Sequence, residues 1–255
     1  MKEVVTKNSK EINDDNSSFT DEFNILDDTF LAKPSPLRFW SSFFVILPIF
    51  LQAPWVRYQP ITALAFTLVI IVLSIFLYRN YSPKFLIVAS LLLGVSGSWL
   101  GGSLFWGWLS SHPVLHIPVE AVPLPLALIG LRTKWKIGSS FYIASLFGTA
   151  MTDVVILFTG IMDQWMEVVN ADPDQAPIIL QQTSQNLINY KPLLIIFIAG
   201  LILWFISKFI SNNSLNNTSN RMSLLVASYV LQTTLIVDGI FVLLAIIQPT
   251  FSGLV

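Results

Sequence analysis

Residues 60–79 read PITALAFTLVIIVLSIFLYR, twenty residues whose one charge is the arginine that ends them. At 1.5 Å per residue a helix of that length crosses the roughly 30 Å hydrocarbon core of a bilayer. Backbone amides in lipid are satisfied only within a helix or a closed barrel. The sequence has no alternating ten-residue strands of the barrel type, so the segment is predicted to be a transmembrane helix.

Working outward from it, six more apolar stretches appear, at about residues 37–54, 83–109, 114–131, 137–161, 192–210 and 223–247. The fold class predicted is all-α, a polytopic bundle of about seven spans. Composition agrees: 54% of residues are hydrophobic, 11% are charged, and mean hydropathy is +0.68. Lys2, Lys7, Lys10, Lys33 and Arg38, the pairs Arg79 with Lys84 and Lys208 with Arg221, and the cluster Arg132, Lys134 and Lys136 all fall on one side of that threading. Only Arg57 and Lys191 fall opposite. The positive-inside rule then places the amino terminus in the cytoplasm, or in the stroma of a plastid, and the carboxyl terminus across the membrane. Omitting the first or the fourth span, the two least apolar, would scramble this segregation.

Residues 1–33 carry eight acidic side chains and no apolar run, fitting neither a signal peptide nor a transit peptide, and read as a disordered tail before a membrane domain at 34–255. Cysteine is missing, which excludes disulfides, thiolate metal sites and cysteine nucleophiles. A net charge of -1 argues against a nucleic-acid partner; the partner implied by composition is the lipid bilayer. The long external connection, 162–191, mixes acids with Ile178, Ile179, Leu187 and Ile188 and reads either as an amphipathic surface helix or as an acidic linker. Residues 211–220 read as a Ser/Asn-rich linker.

Three acids interrupt the apolar spans: Glu120, Asp153 and Asp238. Each costs at least about 2.5 kcal/mol to insert at a helix centre for Asp, so such groups face the bundle interior and serve a purpose. Counted from the outer ends, they lie roughly 9, 12 and 14 Å deep. The threading thus sets all three carboxylates at similar depth on the outer side. They are expected either to form one site for a cation or for protons, or to be neutral groups bonded singly to Thr149, Thr152, Gln232, Thr233 or Thr234.

The fourth stretch is unusual, with His112, Pro113, His116, Pro118, Glu120, Pro123 and Pro125 within fourteen residues. His116 and Glu120, four residues apart, share a helix face and can form a proton relay or adjoining ligands. The prolines are expected to break the helix and to free the carbonyls of Val114, Val119 and Ala121, as in transporters that hold substrates at unwound spans. A proline-kinked packing helix is the plainer alternative. The two histidines also admit a metal or chlorophyll, and no cofactor is assigned. In the third stretch, Gly97 with Gly101 and Ser98 with Gly102 form small-xxx-small pairs that suit close helix packing, while Trp106, Trp108 and Trp55 fit an interfacial aromatic belt. No Gly-x-Ser-x-Gly elbow or other catalytic motif is present, so no enzyme is expected.

The run containing Gly97, Trp99, Gly101, Gly102, Trp106, His112, Pro113, His116, Pro118 and Glu120 resembles an uncharacterised polytopic membrane family of cyanobacteria and algal plastids, with the resemblance extending from about Arg38 to the carboxyl end. It implies a photosynthetic host and a thylakoid or inner membrane, and no established activity. Residues 123–130, Lys134, Lys136 and 148–153 are similar to the substrate-binding subunits of energy-coupling vitamin transporters, which implies a transporter ATPase as partner. Two functions follow as expectations. One is transport of a small solute or cation through a site of Glu120, Asp153, Asp238 and His116, with an aqueous cavity reaching the acids. The other is an assembly or accessory role beside photosynthetic complex subunits, with a dry bundle and an exposed Trp- and Phe-rich face.

Overall fold

The computed structural model of the chain describes residues 35–80, 83–172 and 174–247. The acidic tail at 1–33 lies outside the described residues. Among those described there are helices and no strands. In chain order they are α1 (Ser35–Leu47), continued through a π-helical turn (Pro48–Gln52) into α2 (Ala53–Tyr58); α3 (Pro60–Asn80); α4 (Pro83–Leu104) with a π-helical turn at Phe105–Leu109; α5 (His116–Glu120); α6 (Leu124–Gly130); α7 (Lys136–Thr159); α8 (Met162–Asn170); α9 (Ala176–Leu187); α10 (Tyr190–Asn216); and α11 (Arg221–Ile247). Seven segments are long and apolar enough to cross a membrane: Pro36–Tyr58, Pro60–Arg79, Phe85–Leu109, Pro113–Gly130, Lys136–Thr159, Tyr190–Asn216 and Thr218–Ile247. The protein is a multi-pass membrane protein.

Contacts between loop ends sort the segments onto two sides. On one, Lys136 Nζ donates to the Ser219 carbonyl, and Lys134 lies 4.5 Å over the Tyr78 ring. On the other, Arg57 donates to the Ala171 carbonyl at 2.6 Å and Ser111 to Asn170 at 3.1 Å. These are the sides required by seven alternating crossings. The connection at 162–189 is mostly helical: α8 and α9 pack on each other and on the end of α11 through Val168, Leu180 and Ala245. Residues 211–216, expected to be linker, instead continue α10, because Ser and Asn at an exposed helix end cost little once the apolar body has nucleated the helix.

The third span is the axis of the bundle. Of its apolar stretch 61% is buried, against 6% for the fourth. Small residues make this possible. A β-carbon on Gly138 would stand 2.0 Å from the Ser90 carbonyl oxygen, and one on Gly94 would stand 2.3 Å from that of Gly138, so α4 and α7 touch backbone to backbone. The Gly138 amide is in the first turn of α7, where no intrahelical acceptor exists, and Ser90 Oγ accepts from it at 3.0 Å. The expected pairs pack too, each against a different neighbour: Gly97 on Tyr142, Gly101 on Glu120, Gly102 on Gln52. Trp99 is fully buried and donates to the Ala63 carbonyl at 2.8 Å, tying the second span to the third. Trp55, near the end of the first span, packs on Phe66 and Trp99.

Candidate functional site

The fourth span is broken, as its prolines require. A 3-10 turn at Pro113–Leu115 leads into the five-residue α5, a turn at 121–123 follows, and α6 resumes. Two carbonyls expected to be free are engaged: Val119 accepts from Val122 at 3.3 Å and Ala121 from Leu124 at 2.9 Å. The turn recovers with local bonds what the prolines remove. The chemical interest lies in the side chains of α5.

His116 is buried, and each ring nitrogen faces a carboxylate. Nδ1 lies 2.8 Å from Asp153 Oδ2, and Nε2 lies 3.3 Å from Glu120 Oε1, four residues along α5. The first contact is a hydrogen bond. The second has the distance of an ion pair without hydrogen-bond alignment, and leaves Nε2 buried with no hydrogen-bond partner. Two aromatic rings pack against the imidazole. Phe105 stacks on it at 4.1 Å between centroids, and Trp106 meets it edge-on at 5.6 Å; both belong to the π-helical turn that closes the third span. A π turn inserts one extra residue and so rotates the helix end, which here carries two consecutive aromatics toward His116. Glu120 is positioned from behind: a β-carbon on Gly101 would stand 2.7 Å from its Cα, and Tyr142 donates to its carbonyl at 2.5 Å.

Beside the imidazole is a cavity of about 20 Å³, lined by His116, Asp153, Phe105 and Trp106 and roofed by Trp165 and Met166 of α8. That volume admits about one water molecule. The cavity reaches His116 and Asp153, and α8 covers it there. Asp238 stands apart from the chain of three. Its Oδ2 accepts from Thr152 Oγ1 at 2.7 Å, and Thr152 is the sequence neighbour of Asp153 on α7. The site expected from the sequence therefore divides into a Glu120–His116–Asp153 chain and an adjoining Asp238–Thr152 pair.

The geometry bears on what the chain of three can do. Among the described residues, no group of three or more acids and histidines is arranged to hold a metal ion. The reason is visible at His116: its two carboxylate neighbours lie on opposite edges of the ring, so the imidazole and both acids cannot converge on one ion. His112 is exposed and starts the 3-10 turn, away from His116. A carboxylate–imidazole–carboxylate sequence suits a different task, since imidazole accepts a proton at one nitrogen while releasing one from the other. Sequence reasoning missed Phe105, Trp165 and Met166, and assigned Trp106 to the lipid interface. No periodic signal marks a π turn or tells which helix folds back over a span.

The chain belongs to the DUF3120 family, described as protein of unknown function, whose model matches residues 41–246 and so encloses Glu120, His116, Asp153 and Asp238. No curated protein and no solved structure matches it.

Proposed function

We propose that this family member is a proton-coupled carrier that moves a small solute or cation across its membrane, with Glu120, His116 and Asp153 as the proton-handling chain. The observation that carries this reading is the buried imidazole with a carboxylate at each nitrogen, 2.8 and 3.3 Å away, inside two apolar spans and beside a cavity of one-water size. Ionisable groups at such depth are expensive, and two carboxylates bracketing one histidine are a costly way to hold helices together. Asp238 is proposed as an adjoining group reached through Thr152. Transport in this scheme requires α8 to withdraw, because it roofs the cavity. Charge segregation supports a cytoplasmic or stromal amino terminus, with the covered site on the outer side; the sequence resemblance supports a photosynthetic membrane. No enzymatic reaction is assigned.

Purified protein in liposomes loaded with a pH-sensitive dye, challenged with small organic solutes and with monovalent and divalent cations, tests this. The expected result is solute-evoked proton movement in the wild type, lowered about 100-fold by Glu120→Gln or Asp153→Asn while thermal unfolding stays close to wild type. Proton movement that survives both substitutions, or a wild type silent to every solute, would overturn it.

A second reading rests on a different observation. Phe197, Trp204, Phe205 and Phe209 of α10 are all exposed, as an accessory subunit beside a photosynthetic complex would require. Co-purification of pigment-protein subunits in mild detergent, lost on Phe205→Ala with Phe209→Ala, would favour it over transport.

A further inference from the structure

The cavity beside His116 holds about 20 Å³, room for one water-sized particle, and its walls carry one carboxylate among aromatic rings. We infer that it binds a single ammonium ion, paired with Asp153 and ringed by Phe105, Trp106 and Trp165. As cargo this ion rests on the carrier reading above; as a bound ion it does not.

Charge comes first. Glu120 and Asp153 bracket one imidazole, so with both acids ionised even a protonated His116 leaves one negative charge over. No Lys or Arg lines the cavity to balance it. An uncompensated carboxylate among apolar side chains is costly, and a monovalent cation drawn in beside it offsets that cost. Asp153 has an oxygen to offer. Its Oδ2 is hydrogen-bonded to His116 Nδ1, whereas Oδ1 has no hydrogen-bond partner among the described residues and is not occluded. Ser110 Oγ, on the same lining, is likewise unpartnered there and open.

The rest of the lining decides which cation. Sodium and potassium exchange their hydration for a shell of oxygens. Among the described residues, Asp153 and Ser110 are the only lining side chains that carry an oxygen. Phe105, Trp106, Trp165 and the thioethers of Met162 and Met166 line it instead. Ammonium suits such a wall. Its N–H groups donate to the Asp153 and Ser110 oxygens, and a cation is attracted by aromatic faces within about 6 Å. Size sets the upper limit, since space for about one water excludes tetramethylammonium. Trp165 and Met166 belong to α8, so the helix that roofs the cavity also completes the cage.

The test is cation binding to the full chain in mild detergent at mildly acidic pH, followed by tryptophan fluorescence at constant chloride, with ammonium, potassium, sodium or tetramethylammonium added. Ammonium is expected to give a saturable change at a concentration at least about tenfold below potassium or sodium, and tetramethylammonium none. Asp153→Asn should abolish the change. Trp165→Leu should weaken binding about fivefold, the worth of one cation–π contact, with Trp106 left to report it. Ser110→Ala, at a partly exposed position, keeps the fold and should weaken ammonium about threefold. Equal responses to ammonium and potassium, a wild-type response in Asp153→Asn, or silence to every cation would overturn the site. Ammonium binding without solute-evoked proton movement would uphold the site and defeat the carrier. Proton movement evoked by another solute, without ammonium binding, would defeat the site and uphold the carrier.

Discussion

The third and fourth spans touch where Gly101 meets Glu120, and they solve the problem of crossing a membrane in opposite ways. The third is long, regular for 22 residues and mostly buried; its glycines remove side chains so that neighbouring backbones reach one another. The fourth is interrupted twice, lies at the edge with Val114, Val122 and Leu126 largely exposed, and turns its few polar side chains inward. The difference separates two roles. The third span supplies a rigid surface at the cost of having no titratable group in its apolar stretch, Phe85–Leu109. The fourth, too irregular to hold itself in register, supplies His116 and Glu120 and relies on that surface to aim them.

Breaking the surface should have the largest effect. Gly138→Val sets a β-carbon 2.0 Å from the Ser90 carbonyl oxygen and 2.9 Å from its carbon, and neither is an atom that a rotamer change can move. Overpacking costs about 1–3 kcal/mol even where side chains can yield, so here the third and fifth spans must separate along their crossing. The expected outcome is a fall in melting temperature of at least about 6 °C, or failure to purify as a monodisperse species. A Gly138→Val protein with wild-type melting and elution would show that the axis of the bundle lies elsewhere.

Gly101→Ala probes the contact between the two spans themselves. Its β-carbon would meet the Glu120 Cα at 2.7 Å, and α5 faces lipid on its other side, so α5 can move outward where α7 at Gly138 cannot. Stability should therefore fall by only about 1 kcal/mol. The outward shift carries His116 with it and lengthens its 2.8 Å contact with Asp153 of α7, and misplacement on the scale of 1 Å costs up to about 100-fold in proton-transfer chemistry. Solute-evoked proton movement should drop at least about tenfold. A stability loss as large as that of Gly138→Val, or unchanged proton movement, would erase the division between scaffold and chemistry.

How far these regions were legible in the sequence follows the same division. The spans are written in hydropathy, and the break in the fourth is written in Pro118, Pro123 and Pro125, since each lacks an amide proton wherever it falls. The approach of Gly94 to Gly138 was less visible than the Gly97 and Gly101 pattern, because Gly138 lies just after Lys136 at a helix start and has no small partner four residues away in its own helix. At the site, the i, i+4 spacing of His116 and Glu120 is a local fact and could be read. The meeting of His116 with Asp153 depends on how the π turn at Phe105–Leu109 rotates the end of α4, and on α8 folding back over both. Those are consequences of packing among segments distant in sequence, with no local signature.

Asp238 is where sequence depth and packing give different answers, and its substitution should have the smallest effect. Depth alone groups it with Glu120 and Asp153. The structure gives it a hydrogen bond from Thr152 at 2.7 Å and no contact with His116. In Asp238→Asn the amide oxygen can accept that same bond, so proton movement should stay within about threefold of wild type and stability within about 1 kcal/mol. Thr152→Val is the sharper companion, because it removes the donor and leaves a buried carboxylate with one partner fewer, a loss of about 1–3 kcal/mol. If Asp238→Asn instead abolishes proton movement as Asp153→Asn is expected to, the Thr152 hydroxyl links two halves of one proton path along α7. The fourth span would then supply only its outer half.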